Sequence, residues 1–472
     1  MRSTKILCTL GPATSGLDNI SRLISAGMDA VRLNFSHGTH EGHLAALNDI
    51  REAERISKRK VAVIQDLQGP KIRTGHVEND GVMLKDGAAF IITINDLPIG
   101  NSEIVSTTYQ NLVNEVKPGN TILLDDGYLI LTVEKVDKSN IYTKVIKGGI
   151  LKNNKGIITP GVSSQAPSLS EKDIEDLKFG LEIGVDAVAL SFVRSERDVI
   201  ELKSTMKVFG RTVPIISKIE RYEGVEDIVD IVNESDAIMV ARGDLGLELP
   251  AEQVPVLQKE IIKTCNFYGK PVIIATQMLE SMINNPRPTR AEASDVANAV
   301  IDGADCVMLS GETSVGKYPF DAVDYMNKII LAVEEKYQKE KGGYDKEYHS
   351  TRYITEALGK AACVLADQID AKAIVALTET GFTALNISKF KPNQPIIAFT
   401  GDNTIARFFS IVRGIVPAPT LTPDDLGNIF DRVSESLLEF EFIKKEDTVV
   451  LVAGTSAIEL MPENIIKIHQ IY

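Results

Sequence analysis

The 472-residue chain contains no tryptophan and only four cysteines, Cys8, Cys265, Cys306 and Cys363. They show no C-x-x-C spacing and three lie in apolar runs, which excludes a disulfide framework or a thiolate knuckle and points to buried thiols in a reducing compartment. A basic excess is also missing: 51 Lys and Arg stand against 65 Asp and Glu, a net charge of -14. Without surplus cations to neutralise phosphates, general nucleic-acid binding is not expected. A locally basic pocket for an anionic substrate stays open. No apolar run approaches the ~18 residues of a membrane span, and the start, MRSTKILCTLGP, is too short in apolar residues for a secretory leader. The expectation is a soluble, cytoplasmic protein of two to four domains.

What the chain does have is repetition. Eight short apolar runs, at 5–10, 30–35, 61–67, 187–193, 214–219, 237–241, 271–276 and 306–309, recur with helical segments between them. Their hydrophobicity is continuous rather than alternating, the mark of parallel strands buried on both faces. Eight such units predict an α/β chain built on a (β/α)8 TIM barrel over 1–69 and 168–340, with a doubly wound sheet as the alternative. From 70 to 167 helical periodicity disappears, and β-rich runs alternate with turn signals such as KPGN and DDG. An inserted all-β domain, a small β-barrel acting as a lid, fits this stretch. The charged segment EEKYQKEKGGYDKEYHS reads as a linker, followed over 350–472 by an open α/β domain for regulation or assembly.

In a barrel of this kind the chemistry sits at the C-terminal strand ends. The stretch PIISKIERYEGVEDIVDIVNESDAIMVARGDLG brings Lys218 and Glu220, two residues apart on one strand, next to Asp244 at the end of the following strand. Two carboxylates from adjacent strand ends suit a hard divalent cation such as Mg²⁺, and the lysine beside them suits a very anionic substrate. Arg32, Asn34, Ser36, Asp66, Ser191, Thr276, Ser310 and Glu312 stand at other strand ends. In the last domain, TETGFTA places Thr378, Thr380, Gly381 and Thr383 before a helix, where backbone N–H groups can take an effector's phosphate. Ordinary capping by Thr380 or Thr383 is the alternative.

The pieces TKILCTLGPAT, VRLNFSHG, DLQGPKIRTG, ISKIE, ARGDLG, ATQMLESM, PRPTRAEASDVANAV and CVMLSGET, in that order, resemble the pyruvate kinase family along the whole chain. The resemblance implies a cytoplasmic glycolytic phosphotransferase, usually a homotetramer. It would pass the phosphoryl group of phosphoenolpyruvate to ADP, giving pyruvate and ATP. It further implies that Arg32 and Lys218 hold the phosphoryl group, that Glu220 and Asp244 bind Mg²⁺ or Mn²⁺, and that Gly243 with the following amides binds the substrate carboxylate. Thr276 would orient the proton donor, with Ser310 and Glu312 nearby, while Arg73 and Lys155 would contact the ADP phosphates. Asn34, Ser36, Asp66 and the Leu67 carbonyl correspond to a monovalent-cation site.

Two departures bear on that picture. Well-known relatives that need K⁺ carry a glutamate where this chain has Lys71, so its ammonium is expected to replace the ion and remove the K⁺ requirement. Phe382 and the final loop AGTSAIELMPENI differ from effector loops of the family, leaving a phosphorylated effector unidentified. Two rival functions stay open at this stage: a Mg²⁺-dependent enolpyruvate lyase or mutase on the same barrel, and a silent metabolite sensor.

Overall fold

A computed structural model describes residues 2–163, 165–341, 354–419, 429–439, 443–453 and 465–472. The expected linker beyond 341 and the final loop 454–464 lie outside the described residues.

Eight parallel strands close into a barrel in sequential order: β1 (Lys5–Thr9), β2 (Ala30–Asn34), β3 (Ala62–Asp66), β4 (Ala187–Leu190), β5 (Ile215–Ile219), β6 (Ala237–Ala241), β7 (Val272–Ala275) and β8 (Cys306–Leu309). Alternate residues divide between two apolar clusters. Leu7, Ala30, Ala62, Ile64, Ala187, Ala189 and Ile216 belong to one, while Ile6, Cys8, Val31, Val63 and Val188 pack with the helices in the other. Each strand therefore buries both faces, which is why its sequence is an unbroken apolar run. The intervening helices are set by local chemistry. Thr289 and Glu292 form a capping box at the start of Arg290–Asp302, and Gly303, at φ 101°, ends it.

The insertion after β3 is built from two sheets. A six-stranded one runs in the order Ile157–Ile158, Thr121–Leu124, Leu129–Val136, Asn140–Lys147, Ala89–Thr93 and Ile104–Ser106. Gly149–Lys152 pairs with Gly81–Leu84 in the other. Phe90, Ile92, Leu131 and Ile141 are fully buried in the core they share. The third unit is a five-stranded sheet in the order Ile415–Pro417, Ile396–Phe399, Ala373–Leu377, Thr448–Ala453 and Ile465–Gln470, with only the last strand antiparallel. Ile415–Pro417 escapes sequence reading because it is three residues long and ends in proline. This unit packs on the N-terminal side of the barrel: Lys5 Nζ donates to the Ile415 carbonyl at 2.6 Å and Arg413 Nη1 to Thr4 Oγ1 at 2.6 Å. The opposite face, where the lid joins, is left for chemistry.

Candidate active site

Strand ends converge at that mouth. Arg32, on β2, donates from Nε to Asp66 Oδ2 at 2.5 Å and from Nη1 to Thr9 Oγ1 at 3.2 Å. Lys218, on β5, places Nζ 2.8 Å from Ser191 Oγ, 3.0 Å from Glu220 Oε1 and 3.3 Å from Asp66 Oδ1. Burial works against the Lys218 ammonium, but Asp66 and Glu220 outweigh it and hold its pKa above the ordinary lysine value. Burial likewise opposes the Asp66 carboxylate, yet Arg32 and Lys218 pull it below the usual range. Glu220 behaves differently: burial pushes it up to about 7, and Lys218 only partly offsets this while Asp244 adds to it. Both Glu220 oxygens have partners, since Oε2 accepts from the Phe192 amide at 2.7 Å. Arg32, Lys218, Asp66 and Glu220 are thus joined in one network, with the Asp244 charge acting on it from nearby, the arrangement expected where pKa values are tuned for chemistry.

A cleft of about 310 Å³ is lined by Arg32, Asn34, Ser36, Asp66, Leu67, Lys71, Arg73, Lys218, Glu220 and Asp244. It is large enough for a small anionic substrate. A neighbouring crevice shared by Lys71, Glu220 and Asp244 continues between lid and barrel, past Ile157 and Thr159 of the lid. The Asn34 side chain accepts from the Ser36 amide at 3.1 Å, and the Leu67 carbonyl accepts from Ser191 Oγ at 2.7 Å. Arg73 Nη1 donates to the Asn154 carbonyl at 3.3 Å. Lys155 is turned into the lid, where its Nζ lies 2.7 Å from Asp125 Oδ1.

Thr276 stands at the end of β7 with φ 68°, followed by Gln277 at φ 55°. A β-branched residue in the left-handed region costs on the order of 1–3 kcal/mol and persists only where neighbours impose it. Its Oγ1 donates to the Ala275 carbonyl at 2.6 Å and accepts from the Gly243 amide at 2.8 Å, joining β7 to the β6 turn that carries Asp244. Glu312 is spent on backbone: Oε1 accepts from the Leu279 amide at 3.0 Å and Oε2 from the Ser310 amide at 2.8 Å. Ser310 Oγ is buried without a partner.

The effector candidates lie in the third unit, away from this mouth. There Thr378 Oγ1 accepts from the Gly381 amide at 3.0 Å. Gly381 itself, at φ 88°, is the N-cap of Phe382–Ser388, with no side-chain cap. The alternative of capping by Thr380 or Thr383 is corrected accordingly: the hydroxyl that serves this turn is that of Thr378. Three residues of the mouth network were given no role by sequence reasoning, namely Ser191, Phe192 and Arg242. Ser191 and Arg242 stand at strand ends, which was the available signal. The Phe192 backbone contact had none.

Among the described residues no three His, Cys, Asp or Glu side chains cluster as a protein-only metal site, and no helix is long and apolar enough to cross a membrane. Residues 1–323 match the pyruvate kinase barrel domain, and 356–469 match the pyruvate kinase alpha/beta domain. The chain is 46% identical to a pyruvate kinase of Mycobacterium intracellulare, covering 100% of this chain and 98% of the relative. It is 43% identical to that of Geobacillus stearothermophilus, covering 100% of this chain and 80% of the relative. A crystal structure of a pyruvate kinase from Cryptosporidium parvum superposes with a TM-score of 0.93 at 38% identity, covering 100% of this chain and 96% of that one. Neither a lyase or mutase nor a silent sensor finds support in these likenesses. The chain belongs to the pyruvate kinase family and is a phosphotransferase of that family.

Proposed function

We propose that the chain transfers the phosphoryl group of phosphoenolpyruvate to ADP and protonates the resulting enolate, giving pyruvate and ATP. The observation that carries this reading is the Lys218 ammonium, buried between Ser191, Asp66 and Glu220 and facing the same cleft as Arg32. Phosphoryl transfer spreads charge over the equatorial oxygens, so a fixed ammonium and guanidinium stabilise its transition state without reorganisation. Asp66 pairs with both cations and holds them at the cleft. The first N–H groups of the helix Arg242–Glu248 lack intrahelical partners and suit the substrate carboxylate. The Gly243 amide is already given to Thr276 Oγ1, so the role falls to the amides that follow it.

Glu220 and Asp244 fit Mg²⁺ or Mn²⁺: they are all-oxygen donors on adjacent strand ends, near enough for the Asp244 charge to raise the Glu220 pKa. Such an ion supplies Lewis acidity toward the phosphate and enolate oxygens when bound. Thr276 orients the proton donor rather than giving the proton, since its own hydrogen is held by the Ala275 carbonyl. Ser310 lies on the next strand end, and Glu312 acts by fixing the backbone of Leu279 and Ser310. Arg73, at the cleft, and Lys155, once released from Asp125, take the ADP phosphates.

Lys71 lines the cleft beside Asn34, Ser36 and Asp66, and its ammonium makes no ion pair with a described carboxylate. This supports the reading that Lys71 stands in for K⁺. A cytoplasmic homotetramer completes the proposal, with the third unit serving assembly and Thr378, Thr380, Gly381 and Thr383 the candidate contacts for an effector phosphate. The test is pyruvate formation from phosphoenolpyruvate, ADP and Mg²⁺ in buffer made with a bulky organic cation, repeated with K⁺. Equal rates are expected. A steep rise with K⁺ would return the monovalent site to Asn34, Ser36, Asp66 and Leu67, and no turnover in either buffer would overturn the reaction.

A further inference from the structure

Arg242 enters none of the steps above, yet it touches three successive residues of the neighbouring strand end. Its Nη2 donates to the Thr276 carbonyl at 2.7 Å and to the Gln277 carbonyl at 3.3 Å, and lies against Met278 Sδ. The other arm of the fork, Nη1, is fixed by Asp295 at 2.7 Å and faces Gln258 Oε1 at 3.4 Å. Thr276 and Gln277 are consecutive non-glycine residues in the left-handed region, at φ 68° and 55°. Left to itself a threonine relaxes out of that conformation, so something outside the loop must hold it.

We infer that Arg242 is a positioning residue for the protonation half of the reaction, clamping the Thr276 backbone so that its hydroxyl stays on the Gly243 amide. The inference rests on the reading of Thr276 as the group that orients the proton donor. Two carbonyls of one turn and an anchoring carboxylate on the opposite side call for a planar fork, and a lysine ammonium cannot reproduce that geometry. Chain connectivity adds a second reason. Arg242 immediately precedes Gly243 and Asp244, so the turn that presents the carboxylate-binding amides and the metal ligand also carries the clamp. A bound substrate and the threonine facing it are thereby registered by one rigid turn. Because near-attack geometry is sensitive to displacements of about 1 Å, loss of the clamp should fall on the step that uses Thr276 and spare phosphoryl transfer.

The experiment is a rapid-quench single turnover of the full-length enzyme with Mg²⁺, ADP and phosphoenolpyruvate carrying deuterium at one C3 position, run in tritiated water. ATP and pyruvate are counted separately, and the handedness of the product methyl group is read. The wild type should give one handedness. Arg242→Met should form ATP within about threefold of the wild-type burst, while pyruvate formation falls about tenfold or more and the methyl loses its handedness as enolate escapes and is protonated in solution. Arg242→Lys should recover only part of the loss, and Thr276→Ala should reproduce it. Asp295→Asn, which loosens the fork from behind, should show the same defect in milder form and decides the matter if Arg242→Met does not fold. If Thr276→Ala loses handedness while a folded Arg242→Met keeps it, the clamp is wrong and the reading of Thr276 survives. If Thr276→Ala itself keeps rate and handedness, that reading fails and takes the clamp with it. Equal slowing of ATP and pyruvate in a folded Arg242→Met would also overturn the inference.

Discussion

Lys218, on β5, and Glu220, just past its end, meet as an ion pair at 3.0 Å with both side chains buried. Period-2 alternation turns them to one face, and the barrel puts that face at the mouth. The carboxylate is therefore asked to serve both the lysine and a cation, while the lysine is asked to serve both the carboxylate and a phosphoryl group.

Removing the ammonium separates these tasks. Lys218→Met should lower kcat by about 10³-fold or more, as loss of a preorganised transition-state charge does. Mn²⁺ binding, followed by electron paramagnetic resonance at pH 8, should persist. A folded variant turning over at near-normal rate would refute the phosphoryl role.

Restoring the acidic side chain at position 71 should create the dependence this chain is expected to lack. Lys71→Glu should be slow in organic-cation buffer and recover by about tenfold or more on adding K⁺, because a carboxylate now balances the ion's charge at the same cleft. Rates insensitive to K⁺ in both proteins would place the Lys71 ammonium outside the monovalent site.

Lys155 is held by Asp125 at 2.7 Å, an ion pair within the lid. Its side chain is one-third exposed, so the pair contributes little to stability, about 0–1 kcal/mol. Lys155→Ala should raise the KM for ADP several-fold and leave the KM for phosphoenolpyruvate unchanged. Asp125→Asn should leave the melting temperature nearly unaltered. A Lys155→Ala variant with both KM values intact would make the residue a surface charge.

Glu248 ties the returning lid segment to the barrel. Arg221 lies 3.7 Å from its Oε1 and donates to the Val162 carbonyl at 2.9 Å. Burial pushes Glu248 from 4.5 up to about 7, partly offset by Arg221 and reinforced by Glu223. The folded state then holds this proton more tightly than the unfolded chain. Its contribution to stability is complete below about 4.5 and is lost as pH rises through about 7, on the order of 3 kcal/mol. Between pH 5 and 8 the wild-type melting temperature should drop by a few degrees relative to Glu248→Gln. A difference between the two proteins that does not change with pH would contradict the shift.

The barrel was legible because its signal is local and repeated. Eight continuous apolar runs state their own burial, and each run that ends in a polar residue marks a strand end. Lys218 with Glu220 and Asp244 could be placed at one mouth on that basis. The Arg32 and Asp66 pairing could not, since the two residues are 34 positions apart and meet only because β2 and β3 are neighbours in register. Glu312 illustrates the other limit: the motif puts it beside Ser310, but its attachment to the Leu279 amide requires β7 and β8 to be adjacent.

By itself, the sequence determined the eight barrel strands, the long insertion after β3 and the kinds of charge at the barrel strand ends, because these depend on periodicity and composition within a few residues. Tertiary structure alone decided how those charges divide. It spends Glu312 on backbone amides, draws Lys155 into the lid, and sets Asp66 between two cations. It also sets the Thr276 backbone in a left-handed turn that Arg242 holds from the neighbouring strand end. Such assignments come from competition among groups far apart in the chain, and only barrel closure brings the competitors within hydrogen-bonding distance.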